Sequence, residues 1–231
     1  AKIAGAREAA RFVIDGDAYA ADGFSPDIAA SLGETGQIRA HRFVELEIFP
    51  IQYDPAAGRV RYLTSIELSV DFEGSDWAET QATLERYASP DFDTMAQHQF
   101  VNADDFSVGR GVPALPLGYL IITYDDFYEE IEMLAGLRHR LGYETTVTKL
   151  SEIPGGATAA NIQAYIIDAY NTWDTPPTFV LLVGDTPQVP PFDGSAGSHV
   201  SDTYFVCMDG GGEWLPDAFV GRFSCTTEAQ V

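Results

Sequence analysis

Hydrophobic positions repeat with a period of two in the first part of the chain. Between residues 42 and 74, apolar and acidic side chains alternate over residues 44–48 and again over residues 66–72. This alternation is typical of β-strands that turn one face to a core and the other to water. The sequence YDPAAG between them predicts a turn, because it contains proline and glycine. We therefore predict an antiparallel β-domain of the β-sandwich type.

The pattern changes after residue 118 to strands that alternate with helices. Apolar residues at helical spacing over residues 127–141 predict one helix, which Gly142 ends, and Thr158 is placed to cap a second. Strands are predicted before, between and after these helices, at YLIITY, YETTVTKL, TFVLLVGD and DAFVGRF. This order indicates a parallel sheet with helices packed on it, joined by right-handed crossovers.

Residues 75–116 have no sustained period and mix prolines, glycines and acids, so we predict a linker or an extended segment there. The domain boundary belongs in this stretch. The predicted fold is a two-domain α+β chain. An N-terminal β-sandwich with its linker occupies residues 1–110, and an α/β subdomain occupies residues 111–231.

The charge of the chain narrows the classes of partner. It has 13 Lys and Arg against 35 Asp and Glu, a net charge of -22, which disfavours nucleic acid and anionic lipid. Either calcium binding or solvation in salt explains this acidity. The sequence contains no run of 18 or more apolar residues, so no membrane-spanning helix is predicted. The first residues lack the apolar core of a signal peptide, so we expect any targeting peptide to have been removed or never included.

Carboxylates in two loops are candidate metal ligands. Asp185 follows Gly184 directly after a predicted buried strand, and ligands of parallel sheets bind beyond the carboxyl ends of strands. Capping of the next turn is the alternative role for Asp185. Asp209, Glu213 and Asp217 lie in a Gly-rich stretch that can offer the oxygen ligands calcium prefers, or can simply form a solvated acidic loop.

Other chemistry receives little support from the residues. His199, Ser201 and Asp202 are close in sequence, but members of a catalytic triad usually come from different elements, so we expect turn residues. Cys207 falls in a strand-like run, and neither it nor Cys225 has a motif typical of a nucleophile, so we expect no catalytic role for them. No phosphate-binding motif is present.

Several motifs together resemble the gingipain-like cysteine peptidases, peptidase family C25. YLIIT, VLLVGD, SDTYF and PDAFVGRFSC occur in the order of that family, and VELEIFPIQYDPAAGRVRYLTSIELSVDF is similar to the end of its β-sandwich propeptide. The resemblance implies a caspase-like α/β catalytic domain of two subdomains, with a Cys nucleophile and a His in a GHG motif. Neither motif occurs in this sequence, so we expect the catalytic pair to lie beyond Val231.

The same resemblance implies a calcium site. Matched by position, its ligands are the side chains of Asp185, Glu213 and Asp217 and the carbonyls of Gly210 and Leu215, with Asp209 as a substitute for Gly210.

Arg110 is the candidate processing site that the resemblance implies. It lies in SVGRGVPALPLGYLIIT, just before the first strand of the α/β part, where it would occupy the specificity pocket until cleavage. An ordinary linker arginine is the alternative.

Two functions are carried forward. The first is part of a secreted or cell-surface cysteine endopeptidase zymogen, whose partners are protein or peptide substrates and the remainder of the peptidase domain. The second is a non-catalytic calcium-dependent binding or assembly module on the same scaffold.

Overall fold

The computed structural model of the chain describes residues 13–103, 116–194, 199–209 and 214–231. Contacts within the chain define two compact units. The first comprises Ala1–Thr35 and Val44–Glu73, and the second comprises Gly36–Phe43 and Gly74–Val231. In this division the short segment Gly36–Phe43 belongs with the C-terminal part of the chain.

The N-terminal part of the chain forms one short helix and two hairpins. The elements are α1 (Gly16–Ala20), β1 (Ala30–Ile38) with β2 (His41–Ile48), and β3 (Ile51–Asp54) with β4 (Arg59–Tyr62). The predicted turn YDPAAG connects β3 to β4, and Gly58 adopts a positive φ of 61° in it. Turns with a positive φ favour glycine, which confirms this prediction.

The predicted β-sandwich is not confirmed. The structure has no strand over residues 66–72, so that prediction is wrong. The strands β1–β4 form two separate two-stranded sheets. In β2, Leu46 and Ile48 are 39% and 49% exposed, although their alternation predicts a buried face. Strand propensity depends strongly on the packing around a strand, so alternation alone does not provide a pairing partner or a second sheet.

Two helices occupy the region that was predicted to be a linker. They are α2 (Trp77–Arg86) and α3 (Pro90–Gln99). The side chain of Asp76 accepts hydrogen bonds from two backbone N–H groups in the first turn of α2, and Pro90 occupies the start of α3. Both are common signals for a helix start, so these helices were readable from the sequence and were missed.

The C-terminal part forms the predicted parallel sheet. Its four strands are β5 (Gly118–Thr123), β6 (Glu144–Lys149), β7 (Pro177–Val183) and β10 (Phe219–Phe223). They run in the spatial order β10, β7, β5, β6, and every pairing is parallel. The predicted stop at Gly142 and cap at Thr158 are confirmed. This part also contains α4 (Tyr128–Arg140), α5 (Ala159–Thr172), β8 (Phe192–Asp193) and β9 (Val200–Ser201).

Both faces of this sheet are buried. Side chains of β5 and β7 alternate between two apolar clusters, because successive residues of a strand point to opposite faces. One cluster contains Leu120, Ile122, Ile162, Ile166, Val180, Leu182 and Phe205, and the other contains Ile121, Phe127, Ile131, Leu181 and Val183. This explains the unbroken apolar runs of the sequence. In the described part of the chain, no helix combines the length and apolar character needed to cross a membrane.

Candidate functional site

The parallel register of β7 and β10 separates two of the predicted metal ligands. Phe219 pairs with Phe179 and Phe223 with Val183, so Asp217 precedes the amino ends of these strands while Asp185 follows the carboxyl ends. The seven residues of β7 lie between the two ends. At about 3.3 Å per residue, the strand spans roughly 20 Å.

This separation bears on the predicted calcium site. Calcium ligands lie about 2.4 Å from the ion, so one ion cannot contact both Asp185 and Asp217. Leu215 belongs to the Asp217 end of the sheet, while Gly210 and Glu213 lie outside the described residues. Among the residues that are described, no group of three or more His, Cys, Asp and Glu is arranged to hold a metal. The five predicted ligands therefore do not fit a single ion, and calcium binding itself stays a prediction.

Arg39 occupies the amino end of the sheet. It lies in the two-residue turn between β1 and β2, within the segment that belongs to the second compact unit. Its φ of 54° is unusual for a residue other than glycine, and only 2% of its surface is exposed. A buried arginine in a left-handed turn requires specific partners to offset both costs.

The guanidinium of Arg39 has four oxygen partners, all in the second unit. Nε donates to the carbonyl of Tyr87 at 2.7 Å, and Nη2 donates to Oγ1 of Thr178 at 3.0 Å. Nη1 donates to the carbonyls of Pro177 at 3.1 Å and Asp217 at 2.9 Å. These bonds satisfy most of the donors of a group that stays charged in proteins.

The carboxylate of Asp217 holds the turn that carries Arg39. One oxygen accepts the backbone N–H of Arg39 at 2.5 Å, and the other accepts that of Met208 at 3.0 Å. Burial raises the pKa of Asp217 to about 6, and the two N–H donors and the Arg39 charge oppose that rise. Burial also lowers the pKa of Arg39. Asp217 thus has a structural role that its position in an acidic loop did not reveal.

Aromatic rings surround the same arginine. The guanidinium carbon lies 5.4 Å from the ring centre of Phe92 and 5.5 Å from that of Tyr170, both within the range of cation–π attraction. Tyr87 stacks on Tyr170 with 4.6 Å between ring centres, and Phe92 packs on Phe219 at 4.7 Å. These contacts exclude water from the arginine and connect α3 to β10.

Arg86 is a second arginine that donates hydrogen bonds to backbone carbonyls, here at the end of α5. Its Nη2 donates to the carbonyls of Asn171 at 2.8 Å and Trp173 at 3.1 Å. The last carbonyls of a helix lack partners within it and carry partial negative charge, so a cation there is stabilising. Arg86 therefore joins the end of α2 to the end of α5.

At the carboxyl end of the sheet, the backbone around Asp185 forms a turn. Gly184 has a φ of 135°, and the carbonyl of Asp185 accepts hydrogen bonds from the N–H groups of Gln188 and Val189. The N–H of Asp185 donates to the carbonyl of Cys225 at 2.9 Å. The sharp turn predicted at Gly184 is confirmed, and the Asp185 side chain is half-buried beside it.

Arg222 braces this turn. Its guanidinium forms a fork with the carboxylate of Asp202, at 2.6 and 2.8 Å, and Nη1 donates to the carbonyls of Gly184 and Val189, each at 2.9 Å. Such bidentate pairs are among the stronger polar contacts in proteins. Asp202 is therefore an ion-pair partner rather than a member of a local triad with His199 and Ser201.

Both cysteines are buried. Cys207 directly follows the 3-10 turn Thr203–Val206, so its prediction as part of a strand is wrong. Burial, together with the nearby charge of Asp185, raises the pKa of Cys225. A raised thiol pKa lowers the thiolate fraction and hence the reactivity.

Comparison with known proteins assigns the N-terminal and the C-terminal half of the chain to one family. The profile described as "Peptidase family C25" matches residues 113–231, and that described as "Propeptide_C25" matches residues 4–108. The chain belongs to peptidase family C25. The resemblance stated from the sequence motifs is thereby confirmed.

Individual C25 relatives include Lys-gingipain and gingipain R2 of Porphyromonas gingivalis. Lys-gingipain is 29% identical over 223 residues, which are 95% of this chain and 13% of the relative. Gingipain R2 is 26% identical over 219 residues, which are 94% of this chain and 29% of the relative. The C25 chain described here therefore spans less than a third of either relative.

Solved structures similar to the C25 chain include the Arg-specific cysteine proteinase gingipain R, at 24% identity and a TM-score of 0.45. That match covers 49% of this chain and 26% of the other. A complex of Porphyromonas gingivalis RgpB pro- and mature domains also has a TM-score of 0.45, at 27% identity, with 48% and 26% covered.

The boundaries of the two profile matches show that the contacts of Arg39 and Arg86 join the propeptide match to the peptidase match. Both arginines lie in the part that matches the propeptide, whereas Thr178, Asp217 and the end of α5 lie in the part that matches the peptidase. Sequence reasoning missed both arginines and Arg222. Arg86 was detectable as a basic residue at a helix end, but no local pattern distinguishes Arg39 from a solvated hairpin residue.

Proposed function

We propose that the chain is the propeptide and the first part of the catalytic domain of a secreted cysteine endopeptidase zymogen. The observation that carries this proposal is the order of the two C25 matches, propeptide first and peptidase second, over nearly the whole chain. The burial of Arg39 from the propeptide match among groups of the peptidase match supports it. A secreted or cell-surface location rests on the likeness to the gingipains.

The catalytic pair is assigned to sequence outside these 231 residues. Cysteine peptidase chemistry requires a thiolate activated by an imidazole, and neither Cys207 nor Cys225 is exposed. In the proposed caspase-like domain, substrate binds beyond the carboxyl ends of the parallel strands. The pair of Arg222 and Asp202 would keep that edge rigid, because it fixes the turn after β7.

Arg110 is the proposed processing site. It lies outside the described residues, between the end of the propeptide match at 108 and the start of the peptidase match at 113. A cut there would separate the two matched segments without entering either.

The complete natural polypeptide provides the test. We expect it to be latent when first made, to cut itself at Arg110, and then to hydrolyse peptide substrates until a thiol-alkylating reagent is added. Arg110→Gln should prevent the cut, whereas Arg140→Gln, on an exposed helix position, should not.

Two results would contradict the proposal. Hydrolysis that alkylation leaves intact would exclude a cysteine nucleophile. A complete polypeptide that hydrolyses nothing would instead favour the non-catalytic binding module.

A further inference from the structure

We propose that Arg39 anchors the propeptide on the peptidase subdomain and keeps the two segments together after the chain between them is cut. This inference rests on the proposed zymogen function. It assigns to the tip of the β1–β2 hairpin, Gly36–Phe43, the role of an interaction surface whose partner is the amino end of β7 and β10.

The hydrogen bonds of Arg39 cross between the two matched segments. Its side chain donates to Pro177, Thr178 and Asp217 in the peptidase match, and its backbone N–H donates to the carboxylate of Asp217. The fourth side-chain bond, to Tyr87, stays within the propeptide match. One residue of the propeptide match therefore satisfies buried acceptors at the start of β7 and in the segment that leads into β10.

Burial makes the loss of this side chain costly for the complex. In the assembled state, the carbonyls of Pro177 and Asp217 face the guanidinium and not solvent, and Thr178 is fully buried. In the complex, removal of the arginine would leave these acceptors buried without a hydrogen-bond donor. In the separated segments, the same acceptors would be hydrogen-bonded to water. The substitution thus weakens the complex more than it affects the separated parts.

The hairpin tip is shaped for this contact. A Cβ added at Gly36 would lie 2.5 Å from the ring of Phe43 in the same hairpin and 3.2 Å from the side chain of Leu215. Glycine at this position therefore avoids crowding both within the hairpin and against Leu215. Further contacts join the same segments: Phe92 packs on Phe219, Tyr87 stacks on Tyr170, and Arg86 binds the end of α5. They widen the interface around the arginine.

The anchor lies at the amino ends of the strands, whereas the turn braced by Arg222 lies at the carboxyl ends. Retention of the propeptide is therefore separable from any contact that Arg110 makes with a specificity pocket. A chain cut in the linker should hold together whether or not residue 110 is an arginine.

A release assay on the full chain tests the anchor. The recognition sequence of an unrelated protease is introduced within residues 104–115, the chain is immobilised through a C-terminal tag, and the release of the N-terminal segment is followed after cutting. We expect the segment to remain bound in the parent chain, and Arg39→Ala to accelerate release about a hundredfold. Arg39→Lys should lie between them, because an ammonium cannot reproduce the fork of contacts.

Arg42→Ala is the matched control, since Arg42 lies in the same hairpin and is exposed. The proposal would be overturned if the Arg39→Ala chain released the segment at the parent rate. It would also be overturned if Arg42→Ala accelerated release as much as Arg39→Ala does. If the uncut Arg39→Ala chain shows no cooperative unfolding, the Thr178→Val variant replaces it in the assay. This substitution removes one acceptor of the guanidinium and should accelerate release about tenfold. Release at the parent rate would overturn the proposal.

Because an unrelated protease makes the cut, the outcome does not depend on self-processing. Failure of the anchor would leave the peptidase activity untouched, and failure of the activity would leave the release rates unchanged.

Discussion

Arg39 and Asp217 bind each other reciprocally: the carboxylate of Asp217 accepts the backbone N–H of Arg39, and the guanidinium of Arg39 donates to the backbone carbonyl of Asp217. The two residues are 178 positions apart in the sequence. Each therefore fixes the backbone of the other with its side chain.

Asp217→Asn should destabilise the uncut chain by about 2 kcal/mol, because an amide nitrogen would face one of the two backbone N–H donors and leave it unpaired. Chemical unfolding measures the effect. Asp174→Asn makes the same change at an exposed position and should alter stability by less than about 0.5 kcal/mol. Equal effects of the two substitutions would show that the Asp217 bonds contribute nothing specific.

Arg222→Lys should loosen the turn after β7, because lysine cannot keep the fork to Asp202 while also reaching the carbonyls of Gly184 and Val189. We expect faster hydrogen exchange at residues 184–189, with a global loss of about 2 kcal/mol. Arg140→Lys on the exposed face of α4 serves as the control. Unchanged exchange in that turn would contradict the proposed brace.

Calcium should raise the thermal midpoint if it binds the native chain, as the acidic loops predict. Because Asp185 and Asp217 lie at opposite ends of β7 and β10, no more than one of Asp185→Asn and Asp217→Asn should abolish that rise. Midpoints with calcium and with a chelator are compared within each variant, so that the destabilisation of Asp217→Asn cancels. Loss of the rise in both variants would disagree with the strand register.

Acid should weaken the β3–β4 hairpin through Asp54. The side-chain hydrogen bond from Arg59 and the backbone N–H of Ala57 hold the pKa of Asp54 below its ordinary value. Its folded pKa is therefore lower than its unfolded one, so its contribution to stability is present above the unfolded pKa, about 3.9, and is lost as the pH falls through the folded pKa.

This loss is measured by hydrogen exchange of residues 51–62, as the pH is lowered from 5 to below the folded pKa of Asp54. Asp54→Asn should flatten the pH dependence, whereas Asp71→Asn, at an exposed position of the same unit, should preserve it. A pH dependence that is the same in all three chains would assign the acid sensitivity to other groups.

The α/β part was predictable because its signals are local. Continuous apolar runs indicated strands buried on both faces, and Gly142 and Thr158 marked helix boundaries that the structure confirms. In the N-terminal part, α2 and α3 also carried start signals, at Asp76 and Pro90, but the loss of period two was interpreted as a linker. The strand expected over residues 66–72 did not form, since alternation provides no pairing partner.

The sequence by itself determined the family, the parallel sheet and the sharp turn at Gly184. These depend on residue type and short-range spacing, which act within a few residues. The tertiary structure decided which charged side chains are buried and with whom: Arg39 with Asp217, and Arg222 with Asp202. Strand register also decided that Asp185 and Asp217 lie far apart. Such pairings arise only when the chain folds back on itself, because the desolvation of a charge depends on distant groups that local sequence does not specify.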